Sequence, residues 1–299
     1  MKNLFTFIFI LFTCQLSAQI CYNNATPSDP DSGVLGFITR SDLSDLASPC
    51  PGRSAISELQ LSGDGPGTVK GMMSFGFGTR AKNFRTIADE FTLTEAATLS
   101  TVKLYPYKNT VRNTNANTQI IEEAYIRIWN GMPGAAGSQI IHGDLVTNVL
   151  VSSTFTGVYR VNDVNDTYCE RPIMEVIADL KCKTLNPGTY WLEWQFSVKV
   201  DFADFSNIYK SVPLTQIGVA TTGNAVKSLD DGITYSPVVD SGTKTAQGFP
   251  FIIDCKPFPE PVPTLGEWGL ISLSLLLLIV GVSSIKQHTF TIARQSIPK

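Results

Sequence analysis

The sequence predicts an all-β fold, an antiparallel β-sandwich over residues 86–254, on three observations. Short segments of this range alternate apolar with polar or amphipathic residues, the period of two that half-buried strands show. Clusters of turn-forming residues, such as Asn130-Gly131-Met132-Pro133-Gly134, separate these segments. No amphipathic helical stretch of useful length occurs between Ala88 and Asp254. Many short strands without helices favour a sandwich over an α/β fold.

The clearest strand runs from Tyr190 to Val200, where the alternation is unbroken. One face carries Tyr190, Leu192, Trp194, Phe196, Val198 and Val200. The other face carries Trp191, Glu193, Gln195, Ser197 and Lys199. We expect the first face to line the core, because burying each large apolar side chain stabilises the fold by roughly 1.5–3 kcal/mol. The second face is predicted to meet solvent.

Residues 1–19 are predicted to be a secretory signal peptide. Lys2 precedes an apolar run from Leu4 to Phe12, and Ala18 supplies the small residue at a cleavage site. Residues 20–85 follow as an extension rich in Gly, Ser, Asp and Pro, with turn chemistry and no independent core. We therefore expect the sandwich to be exported, behind an irregular N-terminal extension.

The C-terminal end is predicted to be a spacer and a membrane segment. In residues 255–263, proline alternates with other residues, which favours a stiff and extended chain. Residues 264–299 contain a predicted transmembrane helix from Trp268 to Ile285, 18 residues without a charge. Lys286, Arg294 and Lys299 follow, and positive charge on that side predicts a cytoplasmic C-terminus. The helix would anchor the protein in the inner membrane before any processing.

The charge balance argues against nucleic acid as a partner. The chain has 23 basic and 26 acidic residues, and 19 and 25 remain when those of the two terminal segments are left out. The exported part therefore carries a net charge near −6. Such a surface repels phosphate backbones.

Five cysteines remain once the signal peptide is removed, and disulfides are the default state of exported cysteines. Cys169 and Cys182 flank a short strand-like segment, so a local clamp between them is one prediction. Cys21 with Cys50 would hold the N-terminal extension and leave Cys255 over. The rival pairing joins Cys21 with Cys255, and the sequence does not decide between the two. No CxxC spacing supports a zinc cluster.

Catalytic groups are sparse, and no catalytic residue is predicted. His142 is the one histidine of the exported part and has no nucleophile-elbow sequence around it, which argues against a Ser-His-Asp triad. A glycoside hydrolase needs two carboxylates at a defined separation, and Glu193 between two tryptophans is the best single candidate. Calcium is a further hypothesis, because residues 162–166 and the segment Asp29-Pro30-Asp31 concentrate oxygen ligands. No other cofactor is predicted.

The strand alternation places several aromatic rings on the faces that point away from the core. Tyr105, Tyr125, Trp129 and Trp191 are the candidate ligand-binding residues among them, with Tyr107 beside them. Exposed rings next to polar side chains are how sandwich modules stack sugars and fix their hydroxyl groups. The alternative is that loops cover these rings and make them a second packed layer.

The segment Val262-Pro263-Thr264-Leu265-Gly266-Glu267-Trp268-Gly269, with the apolar helix and basic tail after it, resembles the bacterial IPTL-CTERM sorting domain. Its sorting residues would be Val262, Pro263, Thr264, Leu265, Glu267, Trp268 and Gly269, with Val262 where the motif has isoleucine. The resemblance implies recognition by an exosortase-type membrane enzyme, then cleavage and surface attachment or release. The body over residues 86–254 resembles an uncharacterised bacterial jelly-roll domain, which implies a jelly-roll-like antiparallel β-sandwich and no known activity.

These observations predict an exported, surface-sorted and non-enzymatic protein of the cell envelope or cell surface, with surface polysaccharide or matrix glycan as its ligand. One alternative is a polysaccharide hydrolase that uses a carboxylate pair. Another is a passive structural or adhesive surface protein, in which the aromatic rings are covered and no groove is open.

Overall fold

The computed structural model describes residues 19–24, 55–64, 66–81, 84–108, 121–164, 170–197, 209–214, 218–256, 269–280 and 282. The chain divides into two compact units, Met1–Pro257 and Phe258–Lys299. The first unit consists of two β-sheets with a shared hydrophobic core. The predicted all-β class is therefore confirmed.

Fifteen strands, numbered in chain order, lie in the described residues. The first sheet contains β1 (Gln19–Asn23), β2 (Ala55–Leu59), β3 (Phe77–Gly78), β5 (Ala97–Leu104), β6 (Pro106–Lys108), β9 (Leu150–Asn162), β10 (Pro172–Leu185), β12 (Tyr209–Ser211) and β15 (Phe251–Lys256). The second sheet contains β4 (Thr86–Leu93), β7 (Glu123–Trp129), β8 (Ile140–Asp144), β11 (Gly188–Ser197), β13 (Val226–Ser228) and β14 (Ser236–Pro237).

The strand order in the first sheet is β1-β15-β5-β10-β6-β12-β3, with β9 beside β10 and β2 beside β9. The order in the second sheet is β14-β13-β4-β11-β7-β8. Among the described ladders, β2 and β9 pair in parallel and the others are antiparallel. Strands β1 and β14 each lie at an edge of their sheet.

One face of each sheet contributes to the main core. From β11, the side chains of Leu192, Trp194 and Phe196 are buried in it, and Tyr190 packs against it. The first sheet supplies Leu104, Val176, Phe251 and Ile253. The predicted apolar face is confirmed over these residues, and Val198 and Val200 lie outside the described part of the chain.

The opposite face of β11 differs from the prediction of solvent exposure. Trp191, Glu193 and Gln195 are 5 %, 0 % and 2 % exposed. Ala88, Trp129, Trp191 and Val226 form a second apolar cluster on this face, the second layer, and Tyr235 packs against it. The expectation of a solvent-facing surface is therefore wrong for these three residues. The alternation determines which residues share a face, but segments more distant along the chain decide whether that face is open.

Residues of the predicted N-terminal extension join the first sheet as β2, β3 and most of β1. Buried apolar residues of this range are Leu59, Met72 and Phe77. Two carboxylates hold the loops between its strands. Asp163 accepts hydrogen bonds from backbone N–H groups of residues 61–63, and Asp240 accepts them from residues 73 and 74. Side chains from the chain just after β9 and after β14 thus order a segment that is rich in turn residues.

The terminal segments are described only in part. Of the predicted signal peptide, Gln19 alone is described, and it begins β1. A helix covers 269–280, with residue 282 also helical and with exposed apolar side chains. No helix in the described part of the chain combines the length and the apolar character that a membrane crossing needs. Of the helix predicted from Trp268 to Ile285, residues 268, 281 and 283–285 lie outside the described residues.

Candidate functional site

A groove of about 350 Å³ lies beside the edge strand β14. The loop that joins β7 to β8 and the loop that joins β13 to β14 form its walls. This lateral groove is lined by Met132, Pro133, Gly134, Val226, Ile233, Thr234, Tyr235, Ser236 and Pro237. Met132 and Ile233 are 45 % and 79 % exposed, so the groove presents apolar side chains to solvent.

Asp230 holds the β13–β14 loop in shape. Its carboxylate accepts hydrogen bonds from Thr234 Oγ1 at 2.6 Å, from Thr234 N at 2.9 Å and from Ser228 Oγ at 2.7 Å. These bonds, with that of the Thr234 side chain foremost, lower the pKa of Asp230 to about 2. Gly232 has a φ of 81°, and a Cβ on it would overlap the guanidinium of Arg127. The loop therefore needs glycine at this position, where its backbone passes against Arg127.

The β7–β8 loop is also braced by short-range hydrogen bonds. Ser138 Oγ donates to Gly131 O at 2.9 Å, and the backbone N–H of Gln139 donates to Asn130 Oδ1 at 2.7 Å. A Cβ on Gly134 would lie 3.1 Å from the Tyr235 ring, so the two loops touch at that point. Both walls are thus ordered before any ligand binds, which lowers the entropy cost of binding.

A buried polar network adjoins the lateral groove, with Glu193 at its centre. Arg127 donates to Glu193 through Nε at 2.5 Å and Nη2 at 3.0 Å. Trp129 Nε1 donates to the same carboxylate at 2.7 Å. The hydroxyl of Tyr235 donates to Glu193 at 2.9 Å and accepts from Arg127 Nη2 at 2.9 Å. The network joins two strands, β7 and β11, to the loop that carries Tyr235, and it fixes the orientation of the Tyr235 ring.

The electrostatics of this network favour one protonation state. Burial and the negative charge of Glu193 raise the pKa of the Tyr235 phenol. Burial lowers the pKa of Arg127, but the hydrogen bond and charge of Glu193 outweigh it, and the pKa is raised. Both oxygens of Glu193 accept hydrogen bonds from protein donors. The carboxylate named for the hydrolase alternative therefore serves to position Arg127 and Tyr235.

The predicted aromatic residues do not form one open face. Trp129 and Trp191 lie side by side in the second layer on the second sheet, at 9 % and 5 % exposure. Tyr105 is 6 % exposed and packs in a separate cluster on the first sheet. Tyr125 is half-buried and donates to Glu123 Oε2 at 2.8 Å. The prediction of exposed rings is wrong for Tyr105, Trp129 and Trp191, because loops and neighbouring strands cover both faces.

The disulfide of the described chain joins Cys21 to Cys255, across the ladder of β1 and β15. The rival pairing is therefore the one that forms, and the pairing of Cys21 with Cys50 is wrong. Cys182 is an exposed free thiol, so the clamp predicted with Cys169 is not present. Cys50 and Cys169 lie outside the described residues.

The residues named for a catalytic triad and for calcium make hydrogen bonds within the fold. His142 Nε2 lies 2.8 Å from the carbonyl oxygen of Leu180, beside a cavity of about 120 Å³. Asp163, in one of the calcium candidates, is occupied by N–H donors, which is the environment of an anion. Within the described residues, no group of three or more His, Cys, Asp or Glu side chains is arranged to hold a metal ion. Asp29 and Asp31 lie outside those residues.

The lateral groove was not predicted from the sequence. Ile233 and Tyr235 stand in a turn-rich segment without a strand period, directly after Asp230-Asp231-Gly232. Met132 and Pro133 form part of a turn cluster. The one available signal is that both segments place large apolar side chains inside turns, where polar residues are the rule.

Comparison with known proteins gives one match. Residues 260–282 match the family model of the IPTL-CTERM motif, in agreement with the resemblance of the tail. Of the predicted sorting residues, Gly269 begins the described helix, and Val262 to Trp268 lie outside the described residues. No curated protein and no solved structure matches the chain. The motif points to an exported protein of the cell surface.

Proposed function

We propose that this protein is exported, is sorted to the cell surface through its C-terminal motif, and presents a non-enzymatic β-sandwich that binds neutral glycan in the lateral groove. The match of residues 260–282 to the IPTL-CTERM motif supports the sorting. In this proposal the apolar tail enters the inner membrane, and an exosortase-type enzyme cuts the chain near the motif. The body is a jelly-roll-like domain that stays outside after the signal peptide is removed.

Sorting is tested by intact-mass measurement of the mature protein from its native envelope. We expect loss of the signal peptide and of the tail beyond the motif. Pro263→Ala is expected to retain the tail, because it alters the motif. The matched control is Pro257→Ala, a proline of the same spacer that lies outside the matched residues. An unprocessed tail on the wild-type chain, or equal processing of both variants, contradicts the sorting proposal.

The residues that line the lateral groove support the proposal of glycan binding. Its lining has no Asp, Glu, Lys, Arg or His, so a neutral ligand meets no desolvated charge there. The ring of Tyr235 and the apolar side chains of Met132 and Ile233 match the C–H faces of a sugar. Ser236 supplies a hydroxyl group for hydrogen bonds to sugar hydroxyls, and Thr234 Oγ1, which donates its proton to Asp230, can accept one.

The size and charge of the site narrow the ligand further. A volume of about 350 Å³ lies at the lower end of ligand pockets, roughly 300–1,000 Å³, which suits one or two sugar rings. The net charge near −6 of the exported part disfavours acidic polysaccharides over neutral ones. An open groove also separates this proposal from the passive structural alternative, which predicts no groove.

Glycan binding is tested with the full chain in detergent on a panel of neutral and acidic polysaccharides. We expect retention on a neutral polysaccharide, and at least a tenfold loss of affinity in the double variant Met132→Asp with Ile233→Asp. Both side chains are exposed, so the fold should tolerate the change. The matched control is Val146→Asp, another exposed apolar residue that does not line the groove. Binding that is absent from the whole panel, or unchanged in the double variant, overturns the proposal.

A further inference from the structure

The β7–β8 loop begins with Asn130-Gly131, the single Asn-Gly pair in the chain. The backbone nitrogen that follows an asparagine can attack the side-chain carbonyl carbon, because the two groups are held together in the chain and close a succinimide ring. Glycine leaves this nitrogen most accessible, since it has no Cβ. The pair is therefore the place in the sequence that is most open to spontaneous loss of a side-chain amide.

The backbone itself does not require glycine at position 131. Gly134 and Gly137 of the same loop have φ angles of 80° and 82°, which favour glycine. Gly131 is not among the residues with a positive φ. A Cβ on it would lie 3.6 Å from Ser138 Oγ, which is an ordinary contact. Gly131→Ala therefore tests the chemistry of this position without disturbing the turn.

The two groups that would react are available in the folded protein. Asn130 is exposed, and its side-chain oxygen accepts a hydrogen bond from Gln139 N at 2.7 Å. This donor polarises the side-chain carbonyl and is placed to stabilise the negative charge that develops on the oxygen during attack. Within the described part of the chain, Gly131 N has no hydrogen-bond acceptor. No bond has to be broken before this nitrogen loses its proton and attacks.

Another exposed asparagine has a similar environment but a different neighbour. The side-chain oxygen of Asn148 accepts backbone hydrogen bonds from Ala124 and Leu150. The next residue is Val149, whose N–H donates to the carbonyl oxygen of Ala124 at 2.9 Å. Its branched side chain also crowds the nitrogen. Asn148 is therefore an internal control that should keep its amide.

We propose that Asn130 is a site of spontaneous deamidation, and that its isoaspartyl product loosens the β7–β8 wall of the lateral groove. Gly131 N gives up its proton to hydroxide and attacks Asn130 Cγ. The new bond between nitrogen and carbon forms as the bond between Cγ and Nδ2 breaks, and the leaving group takes a proton from water and departs as ammonia. Water then opens the succinimide at either carbonyl, which gives aspartate or isoaspartate. The reaction consumes water and needs no oxidant or reductant.

The isoaspartyl product changes the main chain where the wall begins. The chain then runs through the former side-chain carbonyl and is longer by a methylene group. The bonds from Gln139 N to the Asn130 side chain and from Ser138 Oγ to Gly131 O, which brace the loop, are both disturbed. The same loop reaches the Tyr235 ring, so the disturbance reaches the groove. Any loss of glycan affinity rests on the proposed function, whereas the change in the wall does not.

Ageing of the purified full chain tests the proposal. The protein is kept in detergent and mildly alkaline buffer for days, and its peptides are mapped by mass spectrometry, with isoaspartate identified by an isoaspartyl methyltransferase. We expect conversion at Asn130 and none at Asn148. Gly131→Ala should fold as the wild type does and convert Asn130 several-fold more slowly. In hydrogen exchange, the isoaspartyl fraction should exchange residues 131–139 faster than the fresh protein.

The outcomes that overturn the proposal are equally defined. Asn130 that keeps its amide for as long as Asn148 does would overturn it, as would an equal rate in Gly131→Ala. Unchanged hydrogen exchange in the isoaspartyl fraction would refute the effect on the wall. None of these measurements uses a ligand, so a failure of glycan binding would count against the proposed function alone.

Discussion

Replacement of Glu193 by glutamine tests whether the buried network holds the second layer on the sheet. Glu193→Gln keeps the shape of the side chain but removes its charge and replaces one acceptor oxygen by an NH₂ donor. The surrounding groups of Arg127 and Trp129 are themselves donors. The variant therefore leaves the guanidinium of Arg127 buried without a counter-charge.

The expected magnitude follows from the burial of the pair. The Arg127 and Glu193 side chains are 10 % and 0 % exposed, so solvent screens their interaction little. Removal of one partner of a buried ion pair costs about 3–5 kcal/mol. This loss is large against the roughly 5–15 kcal/mol by which domains are stable. We therefore expect Glu193→Gln to lower the free energy of unfolding by about 3–5 kcal/mol.

The assay is urea unfolding of the full chain in detergent, followed by tryptophan fluorescence, because Trp129 and Trp191 lie in the affected layer. Glu123→Gln is the control, since Glu123 lies at the half-buried start of β7, the strand of Arg127, and accepts a hydrogen bond from Tyr125. We expect the control to lose no more than about 1 kcal/mol. A loss below about 1 kcal/mol for Glu193→Gln, or one equal to the control, would refute the role of the network.

Three further perturbations have defined outcomes. Burial raises the pKa of Asp89 to about 7 from its ordinary 3.8, so the folded state holds the proton more tightly and the free energy of unfolding should fall as pH rises from about 4 to 7. In chemical denaturation at several pH values, Asp89→Asn should remove most of this decline, and an unchanged pH profile would contradict the argument. Gly232→Ala forces a left-handed φ on alanine and a clash with Arg127, so thermal unfolding should show a loss of more than about 2 kcal/mol, and an unshifted Tm would refute it. Joint replacement of Cys21 and Cys255 by serine should cost about 5 kcal/mol by the loop-entropy model, and an equal stability of wild type and variant in urea would be the contrary result.

The alternation of apolar and polar residues predicted the fold class, because this alternation depends only on near neighbours in sequence. The alternation of Leu192, Trp194 and Phe196 requires only that successive side chains of a strand point to opposite faces. That rule holds wherever the strand lies in a sheet. The opposite face, with Trp191 and Glu193, obeys the same alternation and is nevertheless buried. Its environment depends on Tyr235, about 40 residues further along the chain.

The candidate site could not be predicted because its parts are distant in sequence. The groove combines Met132 and Ile233, about 100 residues apart, and each stands in a segment of turn residues. Turn chemistry predicts where the chain reverses but does not reveal which two turns will touch. The contact of Gly134 with the Tyr235 ring, which joins the walls, has no local signature in the sequence.

Local sequence alone thus determined the β class, the core face of β11 and the sorting motif. Each of these depends only on residues that are contiguous or that alternate along one strand. The tertiary structure alone decided that Cys21 bonds to Cys255, that Glu193 pairs with Arg127 beneath a second layer, and that two turns form a groove. The physical reason is that burial and pairing depend on the summed contacts of the folded chain. Those contacts outweigh the loop-closure entropy that favours near neighbours in sequence.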